Sequence, residues 1–251
     1  MTITKNRLFF KTAFITLDDK AIRPLYESGE YSSIIALSYE KMDIEGFVRT
    51  EKTTALIDTS VSEDEIYGRF SEREKIAKTY KTPELSFAVD DQNKQPVYRA
   101  YSDFEFSQGR APISIEQFEQ FRLFSAYLHG EPVSGINIIE SAHYIRIRSI
   151  FSKRLTIGDK AMYRLIASSS RRVMWELCKW AHEHGYRSVD LASVNLVDQA
   201  KKGISDFKMS FGGTIVTEYT YTYKSRLFTS LEFLARFRVY IRKLIHSVFR
   251  R

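Results

Sequence analysis

Leu123-Phe124-Ser125-Ala126-Tyr127-Leu128, His129-Gly130-Glu131 and Pro132-Val133-Ser134-Gly135-Ile136-Asn137-Ile138-Ile139 read in order as strand, turn and strand. Ala142 to Ser149 then alternates apolar and polar residues, with Tyr144, Arg146 and Arg148 on one side, and supplies the third strand of an antiparallel meander. Forward from there, a helix is expected from about Ser169 to Gly185, with the glycine as its stop. Tyr186-Arg187-Ser188-Val189-Asp190-Leu191 is a strand, Phe211-Gly212-Gly213 a turn, and Thr214 to Tyr223 a last strand. Backward from the meander, Glu116 to Phe121 looks helical. Ser60-Val61-Ser62 followed by Glu63, Asp64 and Glu65 is a hydroxyl cap with acids behind it, which predicts a helix running to about Tyr80 and ending before Pro83. Thr54 to Asp58 is a short strand candidate, and the residues before it suggest strands and a short helix. The order predicts a mixed α/β fold, a central twisted sheet flanked by helices. We divide the chain into a reduced N-terminal portion (1–84), a main domain (85–225) and a C-terminal helix (226–251).

The 251 residues, 43% hydrophobic and 14% aromatic, are enough for a substantial core. The single cysteine, Cys178, allows no intramolecular disulfide and sits in an amphipathic helical run, where a buried structural thiol is expected. The N-terminus lacks a continuous apolar run and a cleavage site, so no signal peptide is expected. The longest charge-free runs, Tyr31 to Tyr39 and Met209 to Thr217, are nine residues, whereas a spanning helix needs about 20. A cytoplasmic protein is expected, with peripheral attachment to the inner face of the membrane left open. His182 and His184 are two apart and do not share a helical face, so no metal site is expected.

The net charge of +7 is concentrated in the tail. Residues 226–251 hold seven basic side chains (Arg226, Arg236, Arg238, Arg242, Lys243, Arg250, Arg251) against one acid, Glu232, a local charge of +6. Leu227, Leu231, Leu234, Ile241, Ile245 and Val248 define one apolar helical face. Arg236, Arg238, Arg242, Lys243 and Arg250 are thus candidates to meet an anionic membrane surface. A helix packed on the domain, or docked on a partner, is the alternative. DNA binding is not expected, because the basic residues do not cover the folded body.

Two stretches resemble the FemAB/FemX peptidyltransferases of the acetyltransferase (GNAT) superfamily. One is Leu177-Cys178-Lys179-Trp180-Ala181-His182-Glu183-His184-Gly185-Tyr186-Arg187-Ser188-Val189-Asp190-Leu191, similar to a helix, glycine stop and strand before that family's cleft. The other, Gly203-Ile204-Ser205-Asp206-Phe207-Lys208-Met209-Ser210-Phe211-Gly212-Gly213, matches a Gly-Ile-x-x-Phe-Lys-x-x-Phe-Gly-Gly pattern. Thr54-Ala55-Leu56-Ile57-Asp58-Thr59-Ser60 is a weaker match. The chain is short for the family's two domains. It also lacks the glycine-rich pyrophosphate loop of acetyltransferases, in whose place stand Ile166-Ala167-Ser168-Ser169-Ser170-Arg171-Arg172.

The resemblance implies a GNAT-type fold and transfer of an acyl or aminoacyl group to an amine of an envelope precursor, an amino sugar or a peptide, small or lipid-linked. The co-substrate would be acyl-CoA or aminoacyl-tRNA, with no tightly bound cofactor, and tRNA would enter only as donor. Lys208 is the implied catalytic cation, stabilising an oxyanion or a substrate's negative charge. Asp190 is a candidate general base or else a hydrogen-bonded structural carboxylate. Ser168, Ser169, Ser170 and Arg171 are candidates for a donor's anionic group, with ordinary capping as the serines' alternative. Asn195 would orient an amide or cap a turn. Phe207 and Phe211 would flank the lysine, Gly212 and Gly213 would approach substrate or reverse the chain, and Arg146 and Arg148 would clamp a phosphate or face solvent. An acetyl-CoA-dependent enzyme of exopolysaccharide biosynthesis and a non-catalytic scaffold of an envelope complex are the rival readings.

Overall fold

A computed structural model describes residues 1–7, 9–156, 158–195, 197–199 and 202–233. The chain forms two compact units, Met1–Lys52 with Thr217–Arg251, and Thr53–Val216. This division leaves the segment 53–84 with the larger unit rather than with an N-terminal portion.

In the smaller unit, β1 (Thr2–Arg7) and β2 (Phe10–Thr16) form an antiparallel hairpin. Helix α1 (Ile22–Glu27) carries the chain back so that β3 (Ser33–Ser38) pairs parallel with β2. Strand β4 (Val48–Asp58) leaves this unit, and β10 (Thr214–Lys224) returns to it and pairs antiparallel with β3. Ala13, Ile15, Ile22, Ile34, Ala36 and Tyr221 are the buried core. The Tyr221 hydroxyl donates to the Glu40 carbonyl at 3.0 Å, so its buried ring keeps a polar partner.

The larger unit holds α2 (Glu63–Arg69), α3 (Arg73–Thr79), β5 (Leu85–Ala88), α4 (Lys94–Ser107) and α5 (Ile115–Glu119). The strands β6 (Arg122–Leu128), β7 (Glu131–Glu140) and β8 (Tyr144–Ser152) follow, then α6 (Lys160–Glu183), β9 (Ser188–Ser193) and α7 (Lys202–Met209). Its strands lie in the order β4-β9-β8-β7-β6-β5. The meander is antiparallel as its sequence indicates, and His129 and Gly130 take φ of 51° and 83° in the tight turn between β6 and β7. The β8–β9 pair is parallel, and α6 is the crossover that such a pair requires. Phe124, Ala126 and Leu128 pack into one core with α6, while Leu123 and Tyr127 pack into a second with Val97, Tyr101 and Phe118. Burial on both faces explains why β6 and β7 read as continuous apolar runs rather than alternating ones.

Two of the expected elements differ in the structure, and a third lies largely outside the described residues. The helix after Ser62 is two helices, because Phe70 takes φ −74°, ψ 123° and turns its ring into the core between Trp175 and Phe211, centroids 5.9 and 5.2 Å away. Burial of such a ring is worth about 2–3 kcal/mol, which outweighs the few hydrogen bonds lost at the break. Helix α6 starts at Lys160 under an Asp159 cap, whose carboxylate accepts from the Met162 amide at 2.6 Å, nine residues ahead of the Ser169 start. The tail is helical over 226–233. Arg236, Arg238, Arg242, Lys243 and Arg250, with most of the predicted apolar face, lie outside the described residues. Among the described residues no helix is long and apolar enough to cross a membrane.

Candidate functional site

Strands β8 and β9 pair through Tyr144↔Ser188, Ile145↔Val189 and Arg146↔Asp190, where the described ladder stops. Past that point β8 follows β7 to Ser152 and β9 follows β4 to the Thr54↔Ser193 register. Arg148 is the extra residue of a bulge, since Asn137 pairs with Ser149 but Ile138 with Ile147. Two parallel strands thus fork at their carboxyl ends, the position at which α/β sheets open binding crevices.

Four side chains meet at the fork. Asp190 is fully buried; its Oδ1 accepts from the Thr54 hydroxyl and from the Ala192 amide at 2.8 Å, and its Oδ2 pairs with Arg146. Ala192 sits at φ 58°, a left-handed conformation costing a non-glycine residue about 1–2 kcal/mol, and the Asp190 carboxylate holds it there. From α7, Lys208 Nζ donates to the Ser193 carbonyl at 2.8 Å. Burial pushes the lysine down to about 8, with Asp190 opposing the shift and the Arg146 cation reinforcing it. The turn between β9 and α7 is pinned by Asn195 and the buried Ser205. Ser205 Oγ donates to the Asn195 carbonyl at 2.7 Å and accepts from the Asn195 amide at 3.1 Å.

These contacts revise several sequence expectations. Asp190 has no exposed surface and both oxygens are engaged, so it is the structural carboxylate rather than a base poised over a bound amine. Arg146 is its counter-ion, not a phosphate clamp, while Arg148 is exposed beside it. Asn195 takes the turn-capping role: its Oδ1 accepts from the amides of Val197 and Asp198 at 3.1 and 2.9 Å. Ser168, Ser169 and Ser170 lie inside α6, not at its start. Their hydroxyls donate to carbonyls of their own helix, that of Arg164 at 3.0 Å and that of Ile166 at 2.8 and 3.0 Å. A mid-helix site presents no free backbone amides to an anion. Arg171 pairs with Glu72, and its guanidinium stacks 5.3 Å from the Phe207 ring, which Arg154 also covers at 5.9 Å. Burial lowers its pKa.

Phe207 is half-buried, but Phe211 is core, edge-on to Phe70. Gly212, at φ 73°, brings the chain so near the end of α2 that a Cβ would lie 2.6 Å from the Arg69 carbonyl oxygen. At Gly213 a Cβ would lie 3.2 Å from the side chains of Ala55 and Leu191. Both glycines therefore serve the reversal into β10 and close packing of protein on protein. Cys178 is buried, and burial pushes its thiol up, as a structural residue requires. His182 and His184 contact the Thr59 and Trp180 carbonyls, and among the described residues no group of His, Cys, Asp and Glu could hold a metal.

Thr54, Arg154 and the Ser193 carbonyl were not legible as site groups. Thr54 meets Asp190 across 136 positions of sequence, and only the β4–β9 register brings them together.

No family model matches the chain, and no curated protein matches it. Solved structures do. FemX superposes with a TM-score of 0.57 at 12% identity, covering 87% of this chain and 83% of that one. The C-terminal domain assigned to a lysylphosphatidylglycerol synthetase of Agrobacterium fabrum superposes with a TM-score of 0.52 at 13% identity, covering 89% and 81%. The chain has a FemX-type fold.

Proposed function

We propose that this chain is an acyl- or aminoacyltransferase that acylates an amine of a cell-envelope precursor, an amino sugar or a peptide, in the fork between β8 and β9. The observation that carries the reading is the placement of Lys208: a half-buried ammonium held on the Ser193 carbonyl beside the forked strands. The acceptor amine attacks the donor's ester or thioester carbonyl, a C–N bond forms, and the alcohol or thiol leaves. With a pKa of about 8, Lys208 is mostly protonated at neutral pH and supplies the positive charge that a tetrahedral oxyanion needs. Positioning of the two substrates accounts for much of the remaining rate. Asp190 acts at one remove, fixing Arg146 and the strand end from which Ser193 receives the lysine.

The start of α6 bears on the choice of donor. An anionic pyrophosphate is favoured by free helix-start amides, but here the Asp159 carboxylate already takes the Met162 amide. That favours an aminoacyl ester over acyl-CoA. The neighbouring synthetase domain is named for an aminoacylated phospholipid, and transfer of that class suits the fork. The test is calorimetry and thermal shift of the purified protein with acetyl-CoA, free coenzyme A and aminoacyl-tRNA. Saturable binding of the aminoacyl-tRNA alone is expected. Binding of coenzyme A reassigns the donor, and binding of neither donor by a folded sample rejects the transferase reading.

A further inference from the structure

The smaller unit exposes apolar side chains from both ends of its chain. Phe9, in the turn of the β1–β2 hairpin, is 94% exposed, and Leu227, Leu231 and Phe233 stand exposed on the helical segment 226–233. The two segments meet: the Phe10 ring packs edge-on against that of Phe228, 5.4 Å between centroids. With Phe228 turned inward, Leu227 and Leu231, four apart, form an outward ridge beside the hairpin turn. Soluble surfaces rarely gather large apolar side chains in this way without a partner.

The exposed charges of these two segments are basic. Lys5 and Arg226 are exposed in the same two segments, and Glu232 is paired with Lys224. Residues 234–251 add six basic residues and no acid to the sequence immediately beyond.

We propose that the hairpin turn at Phe9 and the Leu227–Leu231 ridge together form a docking surface for an anionic lipid membrane. The apolar side chains enter the boundary between headgroups and acyl chains, and the surrounding lysines and arginines pair with lipid phosphates. The surface goes beyond the transfer reaction and does not depend on it, since binding is read without turnover. It would place the protein where a lipid-linked acceptor is presented.

The test is co-sedimentation of the full chain with vesicles of phosphatidylcholine alone or mixed with phosphatidylglycerol. The expected result is binding to the mixed vesicles at low salt, weakened by high salt, and little binding to phosphatidylcholine. Phe9→Ser with Leu227→Ser should lower that affinity by about tenfold, because anchoring of this kind needs both insertion and charge. Both positions are exposed, so the circular dichroism and unfolding midpoint should not change. Equal binding to both vesicle types, binding to neither, or full binding by the double variant overturns the proposal. So does concentration-dependent dimerisation abolished by the same substitutions, which would assign the surface to a second copy of the chain.

Discussion

Replacing Asp190 by alanine should destabilise the protein by about 3–5 kcal/mol, because it breaks a buried ion pair with Arg146 and removes a fully buried carboxylate. The Arg146 side chain is 13% exposed and that of Asp190 not at all, so water has little access to the broken pair. The substitution also removes the acceptor of the Thr54 hydroxyl and of the Ala192 amide, and with it the group that holds Ala192 in its left-handed conformation. For a chain of this size, roughly 2–4 °C in Tm is lost per kcal/mol, so a fall of roughly 6–20 °C is expected by calorimetry or circular dichroism. The double variant Asp190→Ala, Arg146→Met removes both charges and, with the two single variants, should show a coupling energy of at least about 1 kcal/mol in a double-mutant cycle. A loss below about 1 kcal/mol for Asp190→Ala would show that the ion pair does not hold the fork, and the account of Asp190 as its keystone would be wrong.

Three further outcomes are expected. Lys208 should titrate near pH 8 by NMR of labelled lysines, moving up in Arg146→Met and down in Asp190→Asn; since its folded pKa is depressed, stability should rise as pH climbs from about 8 towards the ordinary lysine range, and an unshifted lysine refutes the burial argument. Gly212→Ala should cost at least about 2 kcal/mol in urea unfolding, through its positive φ and the Arg69 backbone at 2.6 Å, whereas Gly203→Ala, with nothing near its Cβ, should be neutral or slightly stabilising; equal effects would contradict the close approach. Ser168→Ala should leave donor affinity within about twofold, because its hydroxyl serves the Arg164 carbonyl, and a tenfold loss would restore the serines as donor ligands.

The meander, the glycine stop at the end of α6 and the last strand were legible because they depend on local chemistry: β-branched runs, a His-Gly turn, and Gly185 at φ 73°. The start of α6 was not, since Asp159 caps it from a stretch whose apolar pattern is weak, and the triple serine resembled a cap more than the helix interior it occupies. Helix α4 was missed, and its modest amphipathicity, with Tyr101 and Glu105 both buried, gives little periodic signal. At the site, Lys208 could be singled out through a motif, but the role of Asp190 could not. Ion pairing with Arg146 and hydrogen bonding to Thr54 arise from strand register, which links residues distant in sequence. The same holds for Gly212, whose need for glycine comes from Arg69 on another element.

The most direct test follows label from an aminoacyl-tRNA or from acetyl-CoA into an amine of envelope precursors, comparing the wild-type chain with Lys208→Met. Amide-linked label is expected with the wild type, and a loss of at least about a hundredfold in kcat with the variant at an unchanged unfolding midpoint. Undiminished transfer by Lys208→Met, or no transfer from either donor by folded wild-type protein, would contradict it.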